Sequence, residues 1–172
     1  MQSINWPSTE NYFSFYGLNP VFEIDTAELR KLFLEKSRQF HPDFFEGNRE
    51  LQGKAIDITA YNNKAYKALN QAAERLKYLI QMHLSGSDDN QKLPQDFLME
   101  MLDLNEQIDE FTFGNNQDEL KRKITADINS QIQNLMDKLI ALVKIESWAD
   151  AKSELLKLNY LERLAVRLIE PQ

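Results

Sequence analysis

No cysteine occurs in the 172 residues, so no disulfide, thiolate nucleophile, zinc finger or cysteine-held iron–sulfur cluster can form on this chain. A reducing compartment fits that absence. With only two histidines, His41 and His83, a His-rich metal site is out of reach, and neither a metal nor another cofactor is expected. The five glycines form no phosphate-cradling loop, and no nucleophile elbow is present. No apolar run approaches the length of a membrane span. The first residues, Met1-Gln2-Ser3-Ile4-Asn5-Trp6-Pro7, have neither the basic start nor the apolar core of a secretory or transit signal. The expectation is a cytoplasmic protein without a membrane partner.

What is present is charge, unevenly placed. Residues 1–84 hold ten Lys/Arg and ten Asp/Glu, whereas residues 85–172 hold ten against seventeen, so the net charge of −7 lies wholly in the second half. Such asymmetry points to two domains with different partners. Nucleic acid is not among them, because phosphate neutralisation needs clustered cations and Lys121-Arg122-Lys123 is the one compact basic group, read as a solvated helix face.

Apolar residues recur at helical spacing along nearly the whole chain, and no sustained alternation calls for a strand, so the fold class is all-α. An aromatic segment, residues 12–16, ends at Gly17, a glycine stop. Asp25 is positioned to cap a helix from about Thr26, with Glu28 three residues on. Leu29, Leu32, Phe33 and Phe40 then form an apolar stripe, and Arg30, Lys31, Lys36 and Arg38 supply cations to the exposed part. That helix must end at Phe40 or His41, because Pro42 lacks an N–H and restricts the residue before it. His41-Pro42-Asp43 therefore sits at an exposed bend. By residue usage such a tripeptide arises by chance in roughly one chain in a hundred of this length, so its context decides its meaning. That context is a loop through Gly47 and Gly53, then one long helical pattern to about Leu84, with Ala55, Ile58, Ala65, Leu69, Ala72, Leu76 and Leu79 as the seam of an antiparallel helix pair. The tripeptide thus occupies a hairpin tip beside a cationic helix, which favours docking over catalysis: neighbours at an exposed tip have no pocket to perturb them for acid–base work.

Residues 85–94 are polar and breaker-rich and read as a linker between a first domain, residues 1–84, and a second, residues 95–172. Three helical segments follow, about 95–112, 116–145 and 147–169, which close as a three-helix bundle. On the first of them Phe97, Met101, Leu104, Ile108 and Phe111 already make a complete core stripe. Leu98, Met99 and Leu102 are surplus to it and run into Asp103, Glu106 and Glu110, an apolar patch edged by carboxylates. The patch either packs on another helix of the chain or takes a partner. In the second case three such side chains contribute roughly 5 kcal/mol before association costs, while the acids govern orientation and on-rate. Tyr160, off the Leu155, Leu158, Leu168 stripe of the last helix, either borders this patch or is an ordinary half-exposed tyrosine.

Residues 11–84 resemble a J-domain, the module through which co-chaperones stimulate ATP hydrolysis by DnaK-type chaperones. The resemblance rests on residues 32–43, which end in His41-Pro42-Asp43, and on Asn63-Lys64-Ala65-Tyr66. It implies that His41, Pro42 and Asp43 contact the chaperone ATPase and that Arg30, Lys31, Lys36 and Arg38 steer the helix onto an acidic surface, so that ATP hydrolysis belongs to the partner and the chain is no enzyme. J-domains usually carry Lys or Arg directly after the aspartate, where this chain has Phe44. Residues 97–110, with Trp148-Ala149-Asp150-Ala151 and Leu158-Asn159-Tyr160-Leu161, resemble the C-terminal domain of the HscB family of J-domain co-chaperones in iron–sulfur cluster assembly. That likeness implies an adaptor that binds a cluster scaffold protein and delivers it to an HscA-like chaperone. The scaffold would be held by Leu98, Met99, Leu102, Asp103, Glu106, Glu110 and Tyr160, with aspartate at 103 for the commoner glutamate and tyrosine at 160 for a usual phenylalanine. A general J-domain co-chaperone for other clients is the alternative.

Overall fold

The computed structural model describes residues 4–84, 92–113 and 117–169, without the side chains of 110–113 and 117–118. The expected linker lies largely, and the turn over 114–116 wholly, outside these residues, as does the side chain of Phe111. The chain is all-α, with no strand among the described residues: α1 (Tyr12–Tyr16), α2 (Thr26–Gln39), a 3-10 turn (Pro42–Phe45), α3 (Arg49–Asn70), α4 (Ala72–Leu84), α5 (Gln95–Phe113), α6 (Gln117–Lys144) and α7 (Trp148–Ile169). It divides into two compact units, Met1–Leu79 and Ile80–Gln172, the division falling within α4.

Local chemistry sets the helix ends of the first unit. Asn11 and Ser14 cap α1 reciprocally, and Gly17, at φ 70°, ends it in the left-handed conformation that favours glycine. The Asp25 carboxylate accepts the N–H groups of Ala27 at 2.8 Å and Glu28 at 3.1 Å, starting α2. Two features depart from expectation. Gly53 belongs to helix rather than loop, because Asn48, five residues before the glycine, caps α3 by accepting the Leu51 N–H at 3.1 Å. The pattern running to Leu84 is two helices, broken at Gln71, whose backbone is extended. Arg75 holds that break. Its guanidinium donates to the Leu69 carbonyl, left over by the end of α3, and through Nε to the Phe22 carbonyl at 2.7 Å, while lying over the Phe22 ring. Burial pushes its pKa down and the Glu23 carboxylate opposes that.

The core of this unit is Phe13, Phe15, Tyr16, Leu29, Phe40, Ala55, Ile58, Ala65, Leu69, Leu76 and Leu79, with one amide set inside it. Asn62 is 1% exposed. Its Nδ2 donates to the Phe33 carbonyl at 3.1 Å and Ser37 Oγ at 2.9 Å on α2, and its Oδ1 accepts the Tyr16 hydroxyl of α1 at 2.7 Å. Burial holds the Tyr16 phenol well above its ordinary value, with Tyr66 adding to the effect, so it stays a donor.

In the second unit Phe97, Met101, Leu104 and Ile108 of α5 pack with Ile124 and Ile128 of α6 and Leu161, Leu164 and Leu168 of α7. This is the expected three-helix bundle, with Leu161 and Leu164 added to the α7 stripe. The turn between α6 and α7 has no glycine. Glu146 takes the left-handed position at φ 55°, and the N–H groups of Glu146 and Ser147 close on the carbonyls of Val143 and Leu142 at 3.1 and 2.9 Å. One carboxylate is buried in the bundle. Glu154 Oε1 accepts Lys138 Nζ at 2.7 Å and Lys157 Nζ at 3.0 Å. Burial alone would raise its pKa, but the two ammonium groups outweigh that and hold it below the ordinary value.

Two predictions follow from these interiors. Replacing Asn62 with Leu removes the shared partner of three groups and is expected to destabilise the chain by about 1–3 kcal/mol in urea denaturation. Adding Tyr16→Phe should then cost less than it does alone, and strict additivity would show that the two do not act as one network. For Glu154, a folded pKa lowered below the ordinary 4.5 means that its contribution is complete above that pH and is lost as pH falls through the folded value. The stability gap between wild type and Glu154→Gln is therefore expected to narrow from pH 7 to pH 3, and a gap independent of pH would count against the ion-pair account.

Candidate functional site

At the tip of the α2–α3 hairpin, Phe40 ends α2, His41 caps the 3-10 turn and Pro42 opens it, where its missing N–H costs nothing. His41 and Asp43 side chains are 53% and 72% exposed. His41 Nδ1 lies 3.4 Å from the Asp43 N–H and equally 3.4 Å from its Oδ2. One nitrogen cannot serve both: a neutral ring takes the N–H, and a protonated ring pairs with the carboxylate. Both side chains are largely exposed, so the turn presents polar groups to an approaching surface.

Arg30, Lys31 and Arg38 are exposed on α2, with Lys31 Nζ 3.7 Å from Glu28. Lys36 differs from the expectation of an exposed cation. It is half-buried, with Nζ 4.9 Å from the centre of the Phe15 ring, and desolvation lowers its pKa against the effect of Glu35. The helical step explains this, since position 36 lies toward α1 whereas 30, 34 and 38 share an outer row.

One residue bracing the tip was not anticipated. Trp6 stacks on Phe40 at 5.3 Å between centroids and lies 5.5 Å from Phe45, gripping both flanks of the tripeptide, and Lys54 Nζ from α3 sits 4.8 Å from its ring. A lone tryptophan in an irregular stretch has no period to reveal its partner. Thr59 Oγ1 of α3 also donates to the Phe40 carbonyl at 3.4 Å.

In the second unit, α5 has two faces. Phe97, Met101, Leu104 and Ile108 are buried, whereas Leu98, Met99 and Leu102 are 44%, 63% and 60% exposed. Asp103 and Glu106 are exposed beside them, and Glu110 lies in α5 with its side chain outside the described residues. The structure brings Tyr160 of α7 against this helix, edge-on to Phe97 at 5.9 Å. Its hydroxyl oxygen accepts Asn105 Nδ2 at 3.2 Å, and the Asn105 Oδ1 in turn accepts Arg167 at 2.8 Å. Arg167 also pairs with Asp109. Leu98, Leu102, Asn105 and Asp109 follow one another at steps of four and three, so this polar seam continues the apolar row. Asn105 and Arg167 were not legible in the sequence, where each reads as an ordinary surface residue.

Similarity to known proteins covers both units. Residues 93–168 match the family model of the HSCB C-terminal oligomerisation domain. The co-chaperone protein HscB of Proteus mirabilis (strain HI4320) is 27% identical over 157 residues, spanning 90% of this chain and 91% of that protein. Among solved structures, the chaperone HscB from Vibrio cholerae aligns with a TM-score of 0.75 at 24% identity, covering 92% of this chain and 94% of the other. The human co-chaperone protein HscB aligns with a TM-score of 0.78 at 24% identity, covering 93% and 81%. These two likenesses carry the fold, and the sequence matches extend the relation over nearly the whole chain. With a hairpin of J-domain type in one unit and the matched three-helix bundle in the other, the chain is similar to HscB co-chaperones along nearly its whole length.

Proposed function

We propose that the chain is an adaptor in iron–sulfur cluster assembly that holds a cluster scaffold protein on its C-terminal bundle, delivers it to a DnaK-type, HscA-like chaperone and stimulates ATP hydrolysis by that chaperone. In this reading residues 1–84 act as the J-domain, 85–94 as a linker and 95–172 as the scaffold-binding bundle, in the cytoplasm. The observation that carries it is the second face of α5. Leu98, Met99 and Leu102 stand in solvent on a helix whose other face fully supplies the core, and a soluble protein rarely leaves such a row uncovered without a use for it. Asp103, Glu106 and Glu110 would orient a basic partner surface around that row, and Tyr160 would wall one side.

The chain itself is read as non-enzymatic, a regulator of its partner's ATPase. His41, Pro42 and Asp43 would make the contact on the chaperone, with Arg30, Lys31 and Arg38 steering the encounter and Lys36 contributing from its half-buried position. No helix among the described residues is long and apolar enough to cross a membrane.

Calorimetric titration of the scaffold and a chaperone ATPase assay separate the two roles. His41→Gln is expected to abolish ATPase stimulation and leave scaffold affinity unchanged; stimulation at the wild-type level would remove the tripeptide from the contact. The Leu98→Ala, Met99→Ala, Leu102→Ala triple variant should stay folded by circular dichroism, because the three side chains are exposed. It is expected to weaken scaffold binding at least about a hundredfold, at about 1–2 kcal/mol for each anchor. A folded variant with wild-type affinity would place the scaffold elsewhere, and a wild-type chain that binds no scaffold would leave a co-chaperone for other clients.

A further inference from the structure

Two phenylalanines follow the tripeptide, and the 3-10 turn sends them in different directions. Successive residues on such a turn are about 120° apart, so adjacent side chains cannot share a face. Phe45 goes inward to Trp6 at 5.5 Å. Phe44 goes outward and is 72% exposed, the one exposed phenylalanine among the described residues, with its ring 6.1 Å from that of His41. Its placement is not the slack of a loose loop. The turn is closed by the Phe44 N–H on the His41 carbonyl at 3.0 Å and clamped from behind by Trp6 on Phe40 and Phe45. A second exposed apolar side chain stands on α2: Leu34, 42% exposed, falls between Arg30 and Arg38 on its outer row.

We propose that Phe44 is the apolar anchor by which this hairpin tip seats on the ATPase domain of its DnaK-type partner, with Leu34 as a lesser second anchor. The proposal rests on the reading that His41-Pro42-Asp43 docks there, and Phe44 is continuous with that tripeptide in both chain and space. Cations on α2 steer the approach over a Debye length, but exposed charges hold little affinity once screened. A rigidly held aromatic ring surrounded by polar groups supplies what they lack, because it loses little rotamer entropy on burial and excludes water from the neighbouring polar contacts. The matching surface on the chaperone is therefore an apolar recess beside the acidic groups that receive the cations, rather than a uniformly acidic face. Closeness of the ring to His41 also means that seating Phe44 desolvates the imidazole.

The test is the concentration of full-length chain that gives half-maximal stimulation of the chaperone ATPase, measured at low and at physiological salt. Phe44→Ala is expected to raise that concentration about tenfold at both salts, the scale of truncating a moderate interface anchor. Phe44→Leu should stay within about twofold, and Arg38→Ala should act chiefly at low salt. If Phe44→Ala remains within twofold of wild type while His41→Gln is inactive, the tripeptide docks without an apolar anchor and the proposal fails by itself. If His41→Gln stimulates normally, the docking reading falls and this inference falls with it. Sedimentation of wild type and Phe44→Ala closes the other route: a wild-type dimer that dissociates in the variant would assign the ring to self-association and overturn the assignment to the chaperone.

Discussion

The hairpin that displays the tripeptide is held in register by a buried amide. Asn62 ties together three helices of the first unit's core: it sits on α3, accepts from Tyr16 on α1 and donates to Phe33 and Ser37 on α2. Apolar contacts between α2 and α3 are tolerant of small slides, because a leucine packs nearly as well one position away. A directional amide with fixed donors and acceptors is not, since a shift leaves a buried polar group unsatisfied. Register matters here because the tip is only as well placed as the two helices that feed it. With Asn62 fixing the middle of the hairpin, Thr59 reaching Phe40 and Trp6 gripping Phe40 and Phe45, the 3-10 turn is defined from both sides.

The bundle solves a different problem with the same means. α5 carries more apolar residues than one stripe of a three-helix core can absorb, and something must stop it from rotating to bury Leu98, Met99 and Leu102 instead of Phe97 and Met101. The Asn105, Tyr160, Arg167 and Asp109 seam does so, because rotation of α5 about its axis would break each of these links to α7. Glu154 adds a second polar constraint where Lys138 of α6 and Lys157 of α7 meet it. Its second oxygen has no partner among the described residues, a cost the two lysines on the first oxygen offset.

How far this was legible from sequence follows from which signals are periodic. Helix faces could be read because apolar spacing repeats, so the α5 core and its surplus row, the α7 stripe and the stop at Pro42 all emerge from residue type alone. Caps could be read where they were strong, as at Asp25 and Gly17. The start of α3 could not, because Gly47 and Gly53 outweighed the Asn48 cap, and neither could the break at Gln71, where no proline or glycine stands and the Arg75 side chain satisfies the freed Leu69 carbonyl. The polar locks at Asn62, Asn105 and Glu154 are invisible in sequence because each depends on at least one partner brought in from a distance, 29 residues for Phe33 on Asn62, 16 for Lys138 on Glu154 and 62 for Arg167 on Asn105. Lys36 reads in sequence as one exposed cation among four, and only its contact with the Phe15 ring sets it apart. The resemblance to J-domains and to HscB supplied roles for residues, which no amount of periodicity provides.

Charge and apolar surface divide the labour in both units. Each candidate surface sets apolar side chains beside charge: Leu34 stands between Arg30 and Arg38 on a half of zero net charge, and Leu98, Met99 and Leu102 stand beside carboxylates on the half that carries the whole −7. The apolar rows alone would be poor discriminators, since any apolar recess fits them about equally. Charges alone would discriminate, but would hold little once screened by salt. Combined, the sign of the charge selects the partner and sets the encounter rate, while the buried row sets how long the encounter lasts. Opposite signs on the two surfaces then make exchange of partners costly, because an acidic surface that suits α2 would meet Asp103 and Glu106 on α5, and a basic one that suits α5 would meet Arg30 and Arg38 on α2. For the two docking surfaces proposed, that mismatch in charge is what keeps each partner on its own unit.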